Sequence, residues 1–340
     1  MLTIIDNKKL QAIIHLSAQA IRDFLQSADP SKFKGEAQMA IRLFQASPSV
    51  FSDEKMLVYG KGAVEAINNP IRIEIRGRTV EGAAQMVAKG IWGPEREKAV
   101  SQMTLPCREL GIHLKLAGTS SIEFNMEGVD KSLPIYFLQG AFEEVLQEMQ
   151  YRPGAVINSV ESKTVIAADG DGTIYDGPKV GSLPTLAESP VKEALCAYLR
   201  AGGIFLLISG NDADRTFKRL IDSLSKDVYS RVLIAANGGA ELVCIDSYGK
   251  PQPIQAYRKH ALDFAGDAQR RQGLNIVYIG DDGANGGNDY PAFKAVGFDH
   301  AVLVAREFLD DYDARLKPGY VGGLLQGTRR YLEEYLSRLK

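Results

Sequence analysis

Two aspartates close an apolar run in the stretch VIAADGDGTIYDG, residues 165–177: Asp169 and, two residues on, Asp171. Like charges at the end of a buried strand are costly unless a cation or a shared proton sits with them. A carboxylate placed there can attack a phosphoryl group, dividing one hard displacement into two easier ones. A second carboxylate nearby can give and take the proton. Attack of an anion on an anion also calls for a hard cation, and Mg²⁺ held by one or two carboxylates together with phosphate oxygens meets that need.

The elements around these residues predict how they are positioned. From about residue 160 the strands TVIAAD, IFLLIS, VLIAAN and NIVYIGD are near-continuous apolar runs, separated by helical stretches at 190–201, 212–224 and 257–272. Strands of that kind are buried on both faces, which implies a parallel, Rossmann-like α/β sheet with helices on each side. Ligands of such sheets bind at the carboxyl ends of the strands, where Asp169, Ser209, Asn237 and Asp281 fall.

The first 155 residues follow another pattern. Apolar positions recur at helical spacing over 8–28, 36–46, 53–67, 79–89, 95–110 and 140–151, with strict alternation in IRIEIR (71–76), HLKL (113–116) and SIEFNME (121–127). Alternation predicts an antiparallel sheet with one solvated face. We therefore expect an α+β domain over 1–155, a linker beginning YRPGAVINSVES, and an α/β domain over 156–340.

Composition narrows the class of partner. At 340 residues, two domains are a better prior than one. The 40 basic and 42 acidic residues give a net charge of −2, which offers no bulk electrostatic pull toward nucleic acid or an acidic membrane. Cys107, Cys196 and Cys244 are scattered and form no C-x-x-C pair, so neither disulfides nor zinc is expected. The N-terminal residues lack a signal-peptide pattern, and no apolar run reaches bilayer length. The expectation is a cytoplasmic protein acting on a small soluble partner.

The ordered motifs resemble those of the haloacid dehalogenase-like (HAD) hydrolases over residues 160–340. Asp169-Gly170-Asp171-Gly172-Thr173 is similar to their first motif, D-x-D-x-T, Ser209 in LLISGND to the second, and YIGDDGANGGND to the acidic fourth. For the third, a Lys or Arg at the start of a helix, YRKHALDFAG offers Lys259, with Arg258 the alternative.

The resemblance implies a phosphatase with an aspartyl-phosphate intermediate. Asp169 is then the nucleophile, Asp171 the acid and base, and Lys259 the cation paired with the transferring charge. Thr173, Ser209, Gly210 and Asn211 bind phosphate, although Ser209 could instead cap the helix beginning near 212. Mg²⁺ is held by Asp169, Asp281, Asp289 and the backbone carbonyl of Asp171, with Asp282 outside the ligand set and Asn288-Asp289 steadying Lys259.

Short stretches are similar to three branches of the superfamily. GDDGANGGND resembles phosphomannomutases, GDD with DYPAF resembles trehalose-phosphate phosphatases, and DGDGTIYDG resembles IMP-specific 5'-nucleotidases. These imply a phosphosugar or nucleoside monophosphate as substrate. Only 35 residues lie between Thr173 and Ser209, too few for an inserted cap domain, and the stretch from Ser209 to Lys259 leaves no room for one either. Residues 1–155 are thus expected to act as a lid or in homo-oligomerisation. The rival expectations are a phosphomutase, or a phospho-ligand sensor without turnover.

Overall fold

The computed structural model describes residues 4–59, 70–117, 120–151, 164–177, 183–265, 274–285, 287–316 and 318–339. The chain divides into two compact units, Thr3–Gly128 and one built on Val129–Lys340. The division lies upstream of the expected boundary near 155, so the helix expected at 140–151 belongs to the second unit. Nearly all of the expected linker lies outside the described residues. No helix among the described residues is long and apolar enough to cross a membrane.

The first unit runs β1 (Ile5–Asp6), α1 (Asn7–Ser27), α2 (Gly35–Ala46), α3 (Asp53–Met56), β2 (Leu57–Tyr59), β3 (Arg72–Arg76), β4 (Gly82–Ala83), β5 (Gln85–Lys89), α4 (Glu95–Glu109), β6 (Ile112–Ala117) and β7 (Ser121–Met126). Asp6 caps α1 by accepting from Lys9 N at 2.9 Å, and the apolar stripe Leu10, Ile13, Ile14, Ala18, Ile21 and Leu25 is buried as its spacing predicts. A five-stranded sheet of order β2-β3-β5-β7-β6 packs its Ile73, Ile75, Met86, Ile122 and Phe124 face into the same core.

Two expectations change here. The helix expected over 79–89 is instead β4 and β5, with β5 hydrogen-bonded between β3 and β7. Ala and Met are good helix formers, but intrinsic propensity is a weak prior and a central place in a sheet overrides it. The helix expected over 53–67 ends at Met56 and passes into β2, and its remainder falls outside the described residues from 60 onward. The polar face of the sheet is only partly solvated, exposed at His113 on β6 but closed at β3. Glu74 is buried there and meets Arg72 at 2.6 Å, Arg76 at 2.7 Å and Lys89 at 3.0 Å, so its charge is compensated by side chains rather than by water.

The second unit runs α5 (Leu133–Glu148), β8 (Thr164–Asp169), α6 (Lys192–Ala201), β9 (Ile204–Ile208), α7 (Ala213–Ile221), β10 (Val232–Ala236), β11 (Glu241–Ile245), β12 (Pro251–Pro253), α8 (Gln255–His260), β13 (Asn275–Gly280), α9 (Tyr290–Val296), β14 (Ala301–Leu303) and α10 (Leu325–Arg338). Its seven-stranded sheet has the order β12-β11-β10-β9-β8-β13-β14. The five strands from β10 to β14 in that order are parallel, and β11 and β12 extend the edge as antiparallel strands. Every residue of β8, β9 and β10 is buried, in keeping with their unbroken apolar runs.

The chain builds outward from β8 through β9 to β10, then returns to lay β13 against the other side of β8. The crevice between β8 and β13 is therefore the switch point of the sheet, the place where such folds bind ligands. Helix α5, which precedes β8 in the chain, packs against α8, α9 and the turn at Ala261–Phe264. It bends at Ala141, next to Gly140, where a Cβ would fall within 2.0 Å of the Phe264 ring.

Candidate functional site

Asp169 ends β8, and Asp281 follows the last residue of β13, so neighbouring parallel strands bring both carboxylates to one crevice. Oxygens of Asp169, Asp281 and Asp289 lie within 4.8 Å of one another. The approach depends on Gly172, which has a φ of +81° and passes so close to Asp281 that a Cβ there would sit 2.3 Å from Oδ2.

Lys131 supplies the cation that three converging carboxylates require. Its Nζ donates to Asp169 Oδ1 at 2.6 Å and to Asp289 Oδ1 at 2.7 Å, and the side chain is 1% exposed. It stands two residues ahead of α5. Asp130 steadies that entry by accepting from Ser132 N at 2.7 Å, and Pro134 occupies the first turn of the helix. Burial opposes the ammonium charge, but the two carboxylates outweigh it and raise the Lys131 pKa above its ordinary value.

The position expected for Lys259 is thus filled by Lys131. Lys259 is exposed on α8, and Arg258, half-buried on the same helix, interacts electrostatically with Glu241. The signal for Lys131 is present in the sequence as D-K-S-L-P, a basic residue at a helix start marked by Ser and Pro. It lies before the first strand rather than before the fourth, so motif order does not point to it.

The three acids differ in what they can still accept. Asp289, 1% exposed, takes four donors: Lys131 Nζ and Tyr278 Oη on Oδ1, and the backbone N–H groups of Asp281 and Asp282 on Oδ2, at 2.7–3.1 Å. Those donors fill the acceptor sites of a carboxylate. Asp289 therefore steadies Lys131 and the 281–282 turn. Burial pushes its pKa up, but Lys131 and the donors prevail and hold it below the ordinary value.

Asp169 and Asp281 keep oxygen lone pairs open. Burial raises Asp169 to about 7 despite Lys131, and burial together with the charges of Asp289 and Asp169 raises Asp281 to about 8. Two oxygen-bearing acids that resist ionisation side by side suit a small hard cation such as Mg²⁺. Asp282 accepts from Asn288 N at 2.6 Å and Ala284 N at 3.4 Å, so it shapes the loop.

Set against known proteins, the chain matches no family model and no curated sequence.

Asp171 approaches Arg219, whose Nη1 lies 2.7 Å from its Oδ1, and its Oδ2 is 3.5 Å from Asn211 Nδ2. Arg219 carries no motif signal, since one arginine in an amphipathic helix is indistinguishable in sequence from a surface residue. Ser209, buried at the end of β9, accepts from Asn211 N at 3.1 Å, with Gly210 between them. The cap of α7 is Asp212, which accepts from Arg215 N at 2.8 Å, so Ser209 is not occupied as a helix cap. Thr173 is fully buried and its hydroxyl has no hydrogen-bond partner among the described residues. Asn237, at the end of β10, adopts a φ of +52° and donates to Glu241 Oε2 at 3.1 Å, a turn-forming role. Asp169, Asp171, Ser209, Asn211 and Asp281 thus gather around the carboxyl ends of β8, β9 and β13.

Proposed function

We propose that the unit built on Val129–Lys340 is a Mg²⁺-dependent phosphohydrolase of the HAD type, acting through an aspartyl-phosphate on a small phosphate ester, a phosphosugar or nucleoside monophosphate. The observation that carries the reading is the buried Lys131 bridging Asp169 and Asp289 at the switch point, with Asp281 alongside. The resemblance of Asp169–Thr173 to the first HAD motif supports it, as does the strand order. In this reading Lys131 does the work of the third-motif cation from a different place in the chain.

Asp169 and Asp281 would hold Mg²⁺, which when bound supplies positive charge against the phosphoryl oxygens. An oxygen of Asp169 attacks phosphorus, the bond to the leaving oxygen breaks, and the Asp171 carboxyl protonates that oxygen to release the alcohol. Asp171, now a carboxylate, takes a proton from water as the water oxygen attacks phosphorus. The bond to Asp169 breaks, giving inorganic phosphate. Lys131 offsets negative charge at the nucleophile throughout. Asn211, whose Nδ2 donates to Ser209 Oγ at 3.2 Å, and the Ser209 hydroxyl would donate to the transferring group.

A screen of phosphosugars and nucleoside monophosphates for phosphate release with Mg²⁺, paired with Asp169→Asn, tests the proposal. Turnover that disappears in the variant is expected. Unchanged turnover in Asp169→Asn, or none on any ester with the unaltered chain, overturns it.

A further inference from the structure

Arg219 is among the largest side chains in the protein to be fully buried, at 1% exposure. Two of its guanidinium nitrogens donate hydrogen bonds, and the third, Nη1, has a charge partner without one. Nε donates to Pro184 O at 2.8 Å, Nη2 donates to Asp176 O at 2.9 Å, and the plane lies over the Tyr175 ring at 3.7 Å from its centroid. Nη1 sits 2.7 Å from Asp171 Oδ1. Burying a full charge is costly unless a counter-charge and hydrogen bonds compensate. Here the counter-charge is Asp171, the residue that moves the proton in the proposed reaction.

The two oxygens of Asp171 are treated differently. Oδ1, under the guanidinium, is shielded from solvent and has no aligned hydrogen bond, so the contact with Nη1 is an ion pair of charge and position. The side chain as a whole is 35% exposed, and its Oδ2 lies 3.5 Å from Asn211 Nδ2, which also donates to Ser209 Oγ at the end of β9. One oxygen is thus fixed and the other presented to the crevice. A carboxylate on one freely rotating bond would spend little time in a single orientation, and misplacement by about 1 Å can cost roughly 10²-fold in rate.

We infer that Arg219 is a positioning residue that pins Oδ1 of Asp171 so that Oδ2 carries the transferred proton. The inference rests on the phosphohydrolase reading. It adds that the anchor is built into α7 and the Asp176 and Pro184 carbonyls, so the orientation of the proton carrier is tied to the backbone on both sides. Lysine cannot replace this arrangement, because it has no planar fork to reach two carbonyls while stacking on a ring.

The test uses the full chain with Mg²⁺ and two esters, p-nitrophenyl phosphate with a good leaving group and phenyl phosphate with a poor one. Arg219→Lys is expected to lower kcat/KM, which reports the step that expels the leaving group, on phenyl phosphate by about 10- to 100-fold, part of the roughly 10²–10⁴-fold that proton transfer supplies, with a smaller loss of kcat/KM on p-nitrophenyl phosphate. In the Asp171→Asn background the same change is expected to cost nothing further. Equal losses on both esters, or a full loss repeated in Asp171→Asn, would overturn the inference while leaving the phosphohydrolase reading intact. Absence of phosphate release by the unaltered chain, or an Asp169→Asn variant that retains it, overturns both. Circular dichroism checks the fold. Should Arg219→Lys not fold, Asp171→Glu displaces the carboxylate from the other side of the pair and must show the same leaving-group dependence; full activity on both esters refutes the anchor.

Discussion

Replacing Lys131 by methionine removes a cation in contact with both Asp169 and Asp289 and leaves a side chain of similar length in its place. Breaking a buried ion pair by deleting one partner costs roughly 3–5 kcal/mol. In a unit of this size each kcal/mol is worth about 2–4 °C, so melting should fall by roughly 6–20 °C. The loss should be larger at pH 8 than at pH 6, because at lower pH Asp169 and Asp281, already raised to about 7 and about 8, can neutralise by taking up protons. Turnover should fall further than stability alone explains, by about 10²–10³-fold, the usual loss for one fixed charge-stabilising donor. Calorimetry at both pH values and phosphate release with excess Mg²⁺ measure the two effects. Lys259→Ala, at an exposed position, should change stability by no more than about 0.5 kcal/mol. A Lys131→Met protein with unaltered melting and turnover, beside an inactive Lys259→Ala, would refute the assignment.

Addition of Mg²⁺ near pH 7 should release protons, because Asp169 and Asp281 must ionise to hold it; calorimetry in buffers of different ionisation enthalpy reads the number released, and zero release counts against these two ligands. Raised carboxyl groups also mean that the metal-free chain loses stability as pH climbs from the ordinary carboxylate range through about 8, a loss that Mg²⁺ should reverse. In the first unit the sign is opposite. Burial raises Glu74, but Arg76, Lys89 and Arg72 outweigh it and bring its pKa to about 2, so its stabilisation is present above the unfolded value near 4.5 and disappears as pH falls toward 2. That contribution, up to about 3 kcal/mol by the linkage relation, should be missing in Glu74→Gln, whose acid unfolding would then be less steep over that range. A fragment starting at residue 129 should retain Mg²⁺ binding, whereas one starting at 156 lacks Lys131 and α5 and should fold poorly; equal behaviour of the two fragments in circular dichroism and metal titration would contradict the role given to Lys131.

What is legible in the sequence follows from local chemistry. The unbroken apolar runs that end at Asp169, Ser209 and Asp281 announce a parallel sheet and the ends of its strands. Lys131 is hidden because order along the chain is a poor guide to order in space, and α5 reaches the crevice from upstream of β8. Strand β5 is hidden because its helix formers, Met86 and Ala88, are weak evidence beside the pairing of Met86 with Ile75 and Phe124. The buried polar face around Glu74 is hidden because alternation reports which residues share a face, and says nothing about what covers it.

The Lys131–Asp289 contact joins residues 158 apart in the chain, against 38 for the Lys131–Asp169 contact. Contacts of such range are closed late, after the intervening strands have been laid down. During synthesis the lysine emerges before either counter-charge, and Asp169 emerges well before the turn that carries Asp281. A nascent chain therefore has no assembled lysine–carboxylate cluster until β13 and the turn after it join the sheet, and burial of Lys131 between Asp169 and Asp289 can serve as a clock for the final step of folding.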